Sequence, residues 1–237
     1  MPRSKEQNAS VREVRKIQIL NAALSVYVRH GYYGTDMDTV AETAHLAKGL
    51  VYYYYKTKKE LFNALYLWMF DNGYSFSTAL LESINNLPPI DQLMIYVYEM
   101  FAANKKNPYM MQFYIRAPFD SYAIFDPAER TAQAEKSDMH RQALTLLISK
   151  GIEQGVIPDT NPSLAANSFW TVFVANLFEY SRLILGESQL KRSQTAELRE
   201  IVRFCFQGLG INYAIWNLSL EKTTAKKQEG GPYYEGL

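Results

Sequence analysis

The stretch Lys48-Gly49-Leu50-Val51-Tyr52-Tyr53-Tyr54-Tyr55 has two unlike sides when it is wound into a short helix. Val51 and Tyr55 stand four residues apart and share one side, which suits packing on neighbouring helices. Gly49 and Tyr53 lie opposite, with Leu50 and Tyr54 beside them. Lys48 sits at the N-terminal end, where helix amides and an ammonium would both face a phosphate or a guanine edge. Tyr52, Tyr53 and Tyr54 offer hydroxyls to phosphate oxygens, contacts that position a protein more than they specify sequence. Four consecutive tyrosines could equally form a packed aromatic cluster. That reading suits Tyr55; a short helix cannot bury every side, so it does not extend to Tyr53 and Tyr54.

Two more helices are predicted upstream. Val11–His30 places Val14, Ile17, Leu20, Leu24 and Tyr27 on one face, and Gly31 suits a C-terminal cap. After a short turn over Tyr32–Thr35, either Thr35 or Asp36 can cap a second helix carrying Met37, Val40, Ala41 and Ala44. A break at His45–Ala47 leads into the quoted stretch, with His45 read as a turn residue. Three helices within about fifty residues, the second and third short and tightly joined, form the helix-turn-helix pattern.

Downstream the pattern stays helical, without alternating strand patterns. Thr57 and Glu60 resemble a capping box opening a long fourth helix. Further helices are expected over Ile90–Asn104, Tyr109–Ala117, Ala128–Gln154, Asn161 to about Gly186, and Thr195–Leu218, with a loop at Pro118–Pro127. The expected fold is all-α with about nine helices. The expected division is 1–57 (disordered over 1–10), 58–220, and a disordered polar tail over 221–237.

Composition narrows the function. Net charge is only +1, but residues 1–62 hold ten Lys/Arg against six Asp/Glu and the remainder fifteen against eighteen. A polyanion partner, if any, belongs at the basic front end. One cysteine, Cys205, leaves no internal disulfide and no cysteine-rich zinc site. No signal peptide or bilayer-spanning run is visible, since Leu164–Leu185 is interrupted by Asn167, Asn176, Glu179 and Arg182; a cytoplasmic protein is expected. Glycine-rich phosphate loop, nucleophile elbow, paired-His motif and CxxC are all missing, so the sequence suggests neither enzyme nor metal nor cofactor.

Residues Ile19–Phe62 resemble the DNA-binding domain of TetR-family repressors. The matching positions are Ile19, Ala22-Ala23, Gly31-Tyr32, Thr35, Met37, Val40-Ala41, Ala44, Lys48 through Tyr55, and Lys58-Lys59-Glu60-Leu61-Phe62. The resemblance implies that Thr35 and Tyr52 hold phosphates and that Lys48, Gly49 and Leu50 approach base edges. Tyr53 and Tyr54 would contact phosphate and base methyls, and Lys58 would clamp phosphate. Tyr54 stands where the family often has His, and Tyr55 where it usually has Phe, which puts a hydroxyl at a normally buried position. His45-Leu46-Ala47 replaces the usual turn, so the cap of the third helix is weak.

The resemblance also implies a helical effector domain, a pocket among the middle helices and a dimer through the last two long helices. Aromatic and Met candidates for the pocket are Trp68, Tyr98, Phe101, Met111, Tyr114, Phe169, Trp170 and Phe173, suiting a large, partly apolar or aromatic effector. Each could also be plain core. Leu198, Val202, Cys205, Leu209, Tyr213 and Trp216 make one apolar stripe, and Ile201, Phe204, Gly208, Ile211 and Ile215 a second. Two apolar faces call for two partners, one of them a second subunit, unless a single core buries both. Phe178, Arg182, Val202, Cys205, Leu209 and Trp216 are the interface candidates, with Gly208 and Gly210 allowing close helix approach. The expected function is a repressor released from a palindromic operator by a small molecule. A ligand-dependent activator and a helical scaffold without DNA binding are the alternatives.

Overall fold

The computed structural model describes residues 5–186 and 194–228, and among them every regular element is a helix. In chain order these are α1 (Lys5–Gly34), α2 (Met37–Thr43), α3 (Lys48–Tyr54), α4 (Lys58–Ser83), α5 (Pro89–Lys106), α6 (Tyr109–Ile124), α7 (Pro127–Glu153), α8 (Pro162–Ile184), α9 (Gln194–Gly208) and α10 (Tyr213–Gln228). No helix of the described residues is long and apolar enough to cross a membrane.

Local chemistry sets the ends. α1 is broken at Gly31, whose φ of 71° lies in the left-handed region that favours glycine. A Cβ there would also stand 3.2 Å from Arg116 Nη2. The Asp36 carboxylate accepts from the Thr39 amide at 2.7 Å and caps α2, which holds the Asp36 carboxyl below the usual range. Before α4, the Thr57 hydroxyl accepts from the Glu60 amide while the Glu60 carboxylate accepts from the Lys56 amide, close to the capping box expected. Asp126 and Glu129 form a reciprocal box at the start of α7, and Asn161 caps α8 ahead of Pro162.

Three expectations are corrected. α6 does not stop at Ala117 but runs through Pro118 to Ile124, because buried Phe113 and Ala117 on one side and Ile124 on the other anchor both halves. That packing outweighs the backbone hydrogen bond the proline removes. The last helix is two. Gly210, at φ 71°, ends the turn after α9, a Cβ there would meet Pro158 Cγ at 2.8 Å, and Asn212 then caps α10. Finally, α10 continues to Gln228 and α1 already begins at Lys5, so both expected tails are partly helical; 1–4 and 229–237 lie outside the described residues.

The chain falls into two compact units: Met1–Asp71 with Gln112–Ala132, and Asn72–Met111 with Gln133–Leu237. The first holds α1–α3, the first part of α4 and most of α6. Its core is a set of edge-to-face rings: Tyr27 meets Phe62 at 5.3 Å and Phe113 at 5.8 Å, and Tyr66 meets Phe113 at 4.9 Å and Phe125 at 4.8 Å. The second is built around α5, buried almost throughout and packed by α8, α9 and α10. Phe101 stacks on Tyr180 at 4.1 Å, and the Ser219 hydroxyl donates to Asp91 at 2.6 Å.

Candidate nucleic-acid interface

The seven-residue α3 has the sidedness expected of it. Val51 is fully buried and Tyr55 nearly so; the latter closes the helix by donating its amide to Val51 O at 2.9 Å. Burial pushes the Tyr55 phenol up to about 12, so the hydroxyl stays neutral. Opposite, Tyr53 is 62 % exposed, Tyr52 and Gly49 are exposed, and Leu50 and Tyr54 are half-buried. The Tyr53 and Tyr54 rings meet edge to face at 5.4 Å, with Lys56 Nζ 5.6 Å over Tyr53. Nothing lies within 4 Å of where a Cβ on Gly49 would stand, so the chain's own packing does not require glycine there.

The turn between α2 and α3 rests on His45, at φ 53°, and on Gln18 of α1, whose amide donates to Ala44 O at 2.7 Å. Ala47 precedes α3 without a side-chain cap, as its sequence implied. Lys48, exposed at the first turn of α3, is ion-paired with Asp38 of α2. Lys58 sits half-buried, its ammonium donating to Tyr33 O at 3.2 Å and lying 4.5 Å over the Tyr32 ring.

Thr35 is placed differently from the expectation. It is 2 % exposed and its hydroxyl donates to Gly31 O at 2.7 Å, so it ties the α1 break to α2 and presents no hydroxyl to a phosphate. Thr35→Val should therefore lower stability by about 1 kcal/mol, from the lost buried hydrogen bond. It should leave the salt dependence of DNA binding unchanged; thermal melts and salt titrations check both.

Residues that sequence reasoning missed fix this headpiece from α4 and α6. The Tyr66 hydroxyl lies 3.2 Å from the Tyr27 hydroxyl and donates to Ala117 O at 2.9 Å, joining α1, α4 and α6. Burial raises both phenols far above their ordinary value. Arg116 of α6 donates to Val28 O at 2.7 Å and Tyr27 O at 3.4 Å, so its guanidinium caps α1 just before Gly31. Asp120, one turn on, lies 3.7 Å from Arg116 Nε. A lone charge in the otherwise uncharged segment Met110 to Phe119 was the available signal.

The pocket candidates divide between the units. Trp68 and Tyr114 belong to the first, where the Tyr114 hydroxyl donates to Met69 O at 2.6 Å. Tyr98, Phe101, Met111, Phe169 and Phe173 are buried in the second, where Trp170 is half-buried beside Phe173. Of the interface candidates, Val202 and Trp216 are buried within their own unit, whereas Cys205 and Leu209, buried to 2 % and 7 % exposure, line the floor of a groove between α8 and α9. Phe178 and Arg182 are half-buried, the latter paired with Glu179 at 3.3 Å. The exposed apolar groups of α8 and α9 are instead Leu164, Val172 and Phe204, which line that groove, of about 380 Å³, with Ser168, Gly208 and Gly210.

Residues 19–65 match the family model of bacterial regulatory proteins, tetR family, which spans α3 and its supports. That segment of the chain is a tetR-family helix-turn-helix. The chain resembles the HTH-type transcriptional regulator YhgD of Bacillus subtilis, at 25 % identity over 202 residues, covering 84 % of this chain and 98 % of that one. It also resembles the HTH-type transcriptional repressor SCO4008 of Streptomyces coelicolor, at 25 % over 181 residues, covering 73 % and 85 %. Among solved structures, the fatty acid degradation regulator FadR of Bacillus halodurans shares the fold of this chain, with TM-score 0.63 at 17 % identity over 84 % of this chain and 97 % of that one. FadR of Bacillus subtilis, solved with stearoyl-CoA, gives 0.58 at 17 % over 81 % and 98 %.

Proposed function

We propose that this regulator is a repressor that binds a two-fold operator as a homodimer and leaves it when a small effector binds the larger unit. The observation that carries the DNA-facing half is the outward presentation of Lys48, Gly49, Tyr52 and Tyr53 on a helix whose other side is sealed by Val51 and Tyr55. Lys48, Gly49 and Leu50 read base edges; Tyr52, Tyr53, Tyr54 and Lys58 position the headpiece on phosphates. Residues 1–57, with Lys58 at the boundary, carry the DNA contacts, and the rest of 58–220 the effector and subunit contacts, in the cytoplasm. The likeness to the Streptomyces transcriptional repressor supports repression; an activator would differ in where the operator lies relative to the promoter.

Two recognition helices must enter successive major grooves, about 34–36 Å apart on one DNA face. The Leu164, Val172 and Phe204 face supports pairing through α8 and α9, since it is the apolar surface those helices leave open. An effector with higher affinity for a conformer of different spacing would release DNA. α4 and α6 contribute residues to both units and are the natural carriers of that change. The buried aromatic side chains of the second unit, and the acyl-CoA seen in the Bacillus subtilis neighbour, support a large, partly apolar effector.

Lys48→Ala should relax base preference, costing about 1–3 kcal/mol on the preferred site. Lys58→Ala should weaken all sequences alike and lower the salt slope by about 1. Titrations of both variants on preferred and unrelated duplexes separate these roles. If both bind as the unaltered chain does, the docking reading is wrong.

A further inference from the structure

Among the described residues, one ion pair touches a base-reading candidate and joins Lys48 to Asp38, in the first turn of α2. Both side chains are about half exposed, so in the free protein the pair contributes little to stability. Its meaning lies in what each group would do against DNA. A free ammonium at the tip of the interface would neutralise whichever phosphate came near, whatever the sequence. An ammonium already held by a carboxylate carries no net charge to that phosphate, and the carboxylate itself repels it. Yet an ammonium has three donors. With one committed to Asp38, two remain for the adjacent O6 and N7 acceptors of a guanine. The Asp38 contact raises the Lys48 pKa, chiefly through the hydrogen bond the carboxylate accepts.

We propose that Asp38 is a specificity-determining residue: by pairing with Lys48 it removes that side chain from general phosphate binding and leaves it a donor for a guanine edge. The proposal rests on the reading that Lys48 faces bases. It is a case of discrimination by a built-in unfavourable element, here a negative charge in a DNA-facing surface.

The test uses the full chain and two probes: a pool of short random-sequence duplexes, and the duplex that the unaltered chain selects from that pool. Asp38→Asn should bind the pool about five-fold more tightly, as one interfacial repulsion is lost. Its log affinity should fall more steeply with log salt, by about 0.9, as one more phosphate is neutralised. On the selected duplex the affinity should change less than about two-fold, so specificity falls, and selection repeated with the variant should lose a guanine. Asp38→Glu should keep the original ratio, and in a Lys48→Ala background Asp38→Asn should leave the pool's salt slope unchanged. Asp38→Ser serves as the neutral variant if Asp38→Asn melts early. Equal changes on both probes, or the same slope change without Lys48, would overturn the proposal. A selected motif that keeps every preferred base after Lys48→Ala would instead overturn the reading beneath it.

Discussion

Phe204→Glu should convert the proposed dimer to a monomer and reduce operator affinity by about 10²–10⁴-fold, the advantage that linking two binding modules confers. Phe204 projects from α9 with 62 % of its surface exposed, beside Leu164 and Val172 of α8. Because it contributes little to the core of its own chain, a polar replacement should leave the fold intact, unlike a change at Val202 or Cys205. In a two-fold interface the same patch faces itself, so each new carboxylate would be buried close to its symmetry mate. Sedimentation would report the monomer, and titration on the selected duplex the lost affinity. An unchanged dimer with unchanged affinity would place the subunit contact elsewhere.

Tyr66→Ala should destabilise the first unit by about 3–5 kcal/mol, the range for truncating a large buried ring. The Tyr66 ring touches Tyr27, Phe70, Phe113 and Phe125, and its hydroxyl serves two partners. Tyr66→Phe separates the terms. It retains the packing but leaves Ala117 O and the Tyr27 hydroxyl without that partner, and should cost about 1–3 kcal/mol. Thermal melts measure both. Equal losses in the two variants would mean that the hydroxyl network, not ring packing, holds α1, α4 and α6 together; no loss in either would remove Tyr66 from the account.

The helix-turn-helix was legible because its signals are local. Asp36, Thr57 and Glu60 act within a turn of the helices they start, Gly31 ends one by its own φ, and Val51 and Tyr55 show their inward side by spacing. Signals fixed by distant packing were not legible. Pro118 reads as a helix breaker until Phe113, Ala117 and Ile124 are seen to be buried together. Gly208 and Gly210 read as places for helices to approach, whereas Gly210 ends a turn against Pro158, fifty-two positions earlier in the numbering. The stripe through Val202, Cys205 and Trp216 was correctly apolar, but periodicity cannot distinguish a face buried by its own chain from one waiting for a second. The candidate site divided in the same way: α3 was legible from its side-chain order, while Thr35, Asp38, Tyr66 and Arg116 drew their roles from partners on other helices.

The central claim is that two copies of α3 read DNA bases in adjacent major grooves. Selection of duplexes from a random pool by the purified full chain tests it most directly. The predicted product is an inverted repeat with half-site centres about 10–10.5 bp apart, or a multiple of that. Its affinity should fall linearly in log–log form with salt, and Lys48→Ala should remove one preferred base from each half-site. A pool that emerges without sequence preference, or with a single unrepeated motif indifferent to Lys48, would contradict it.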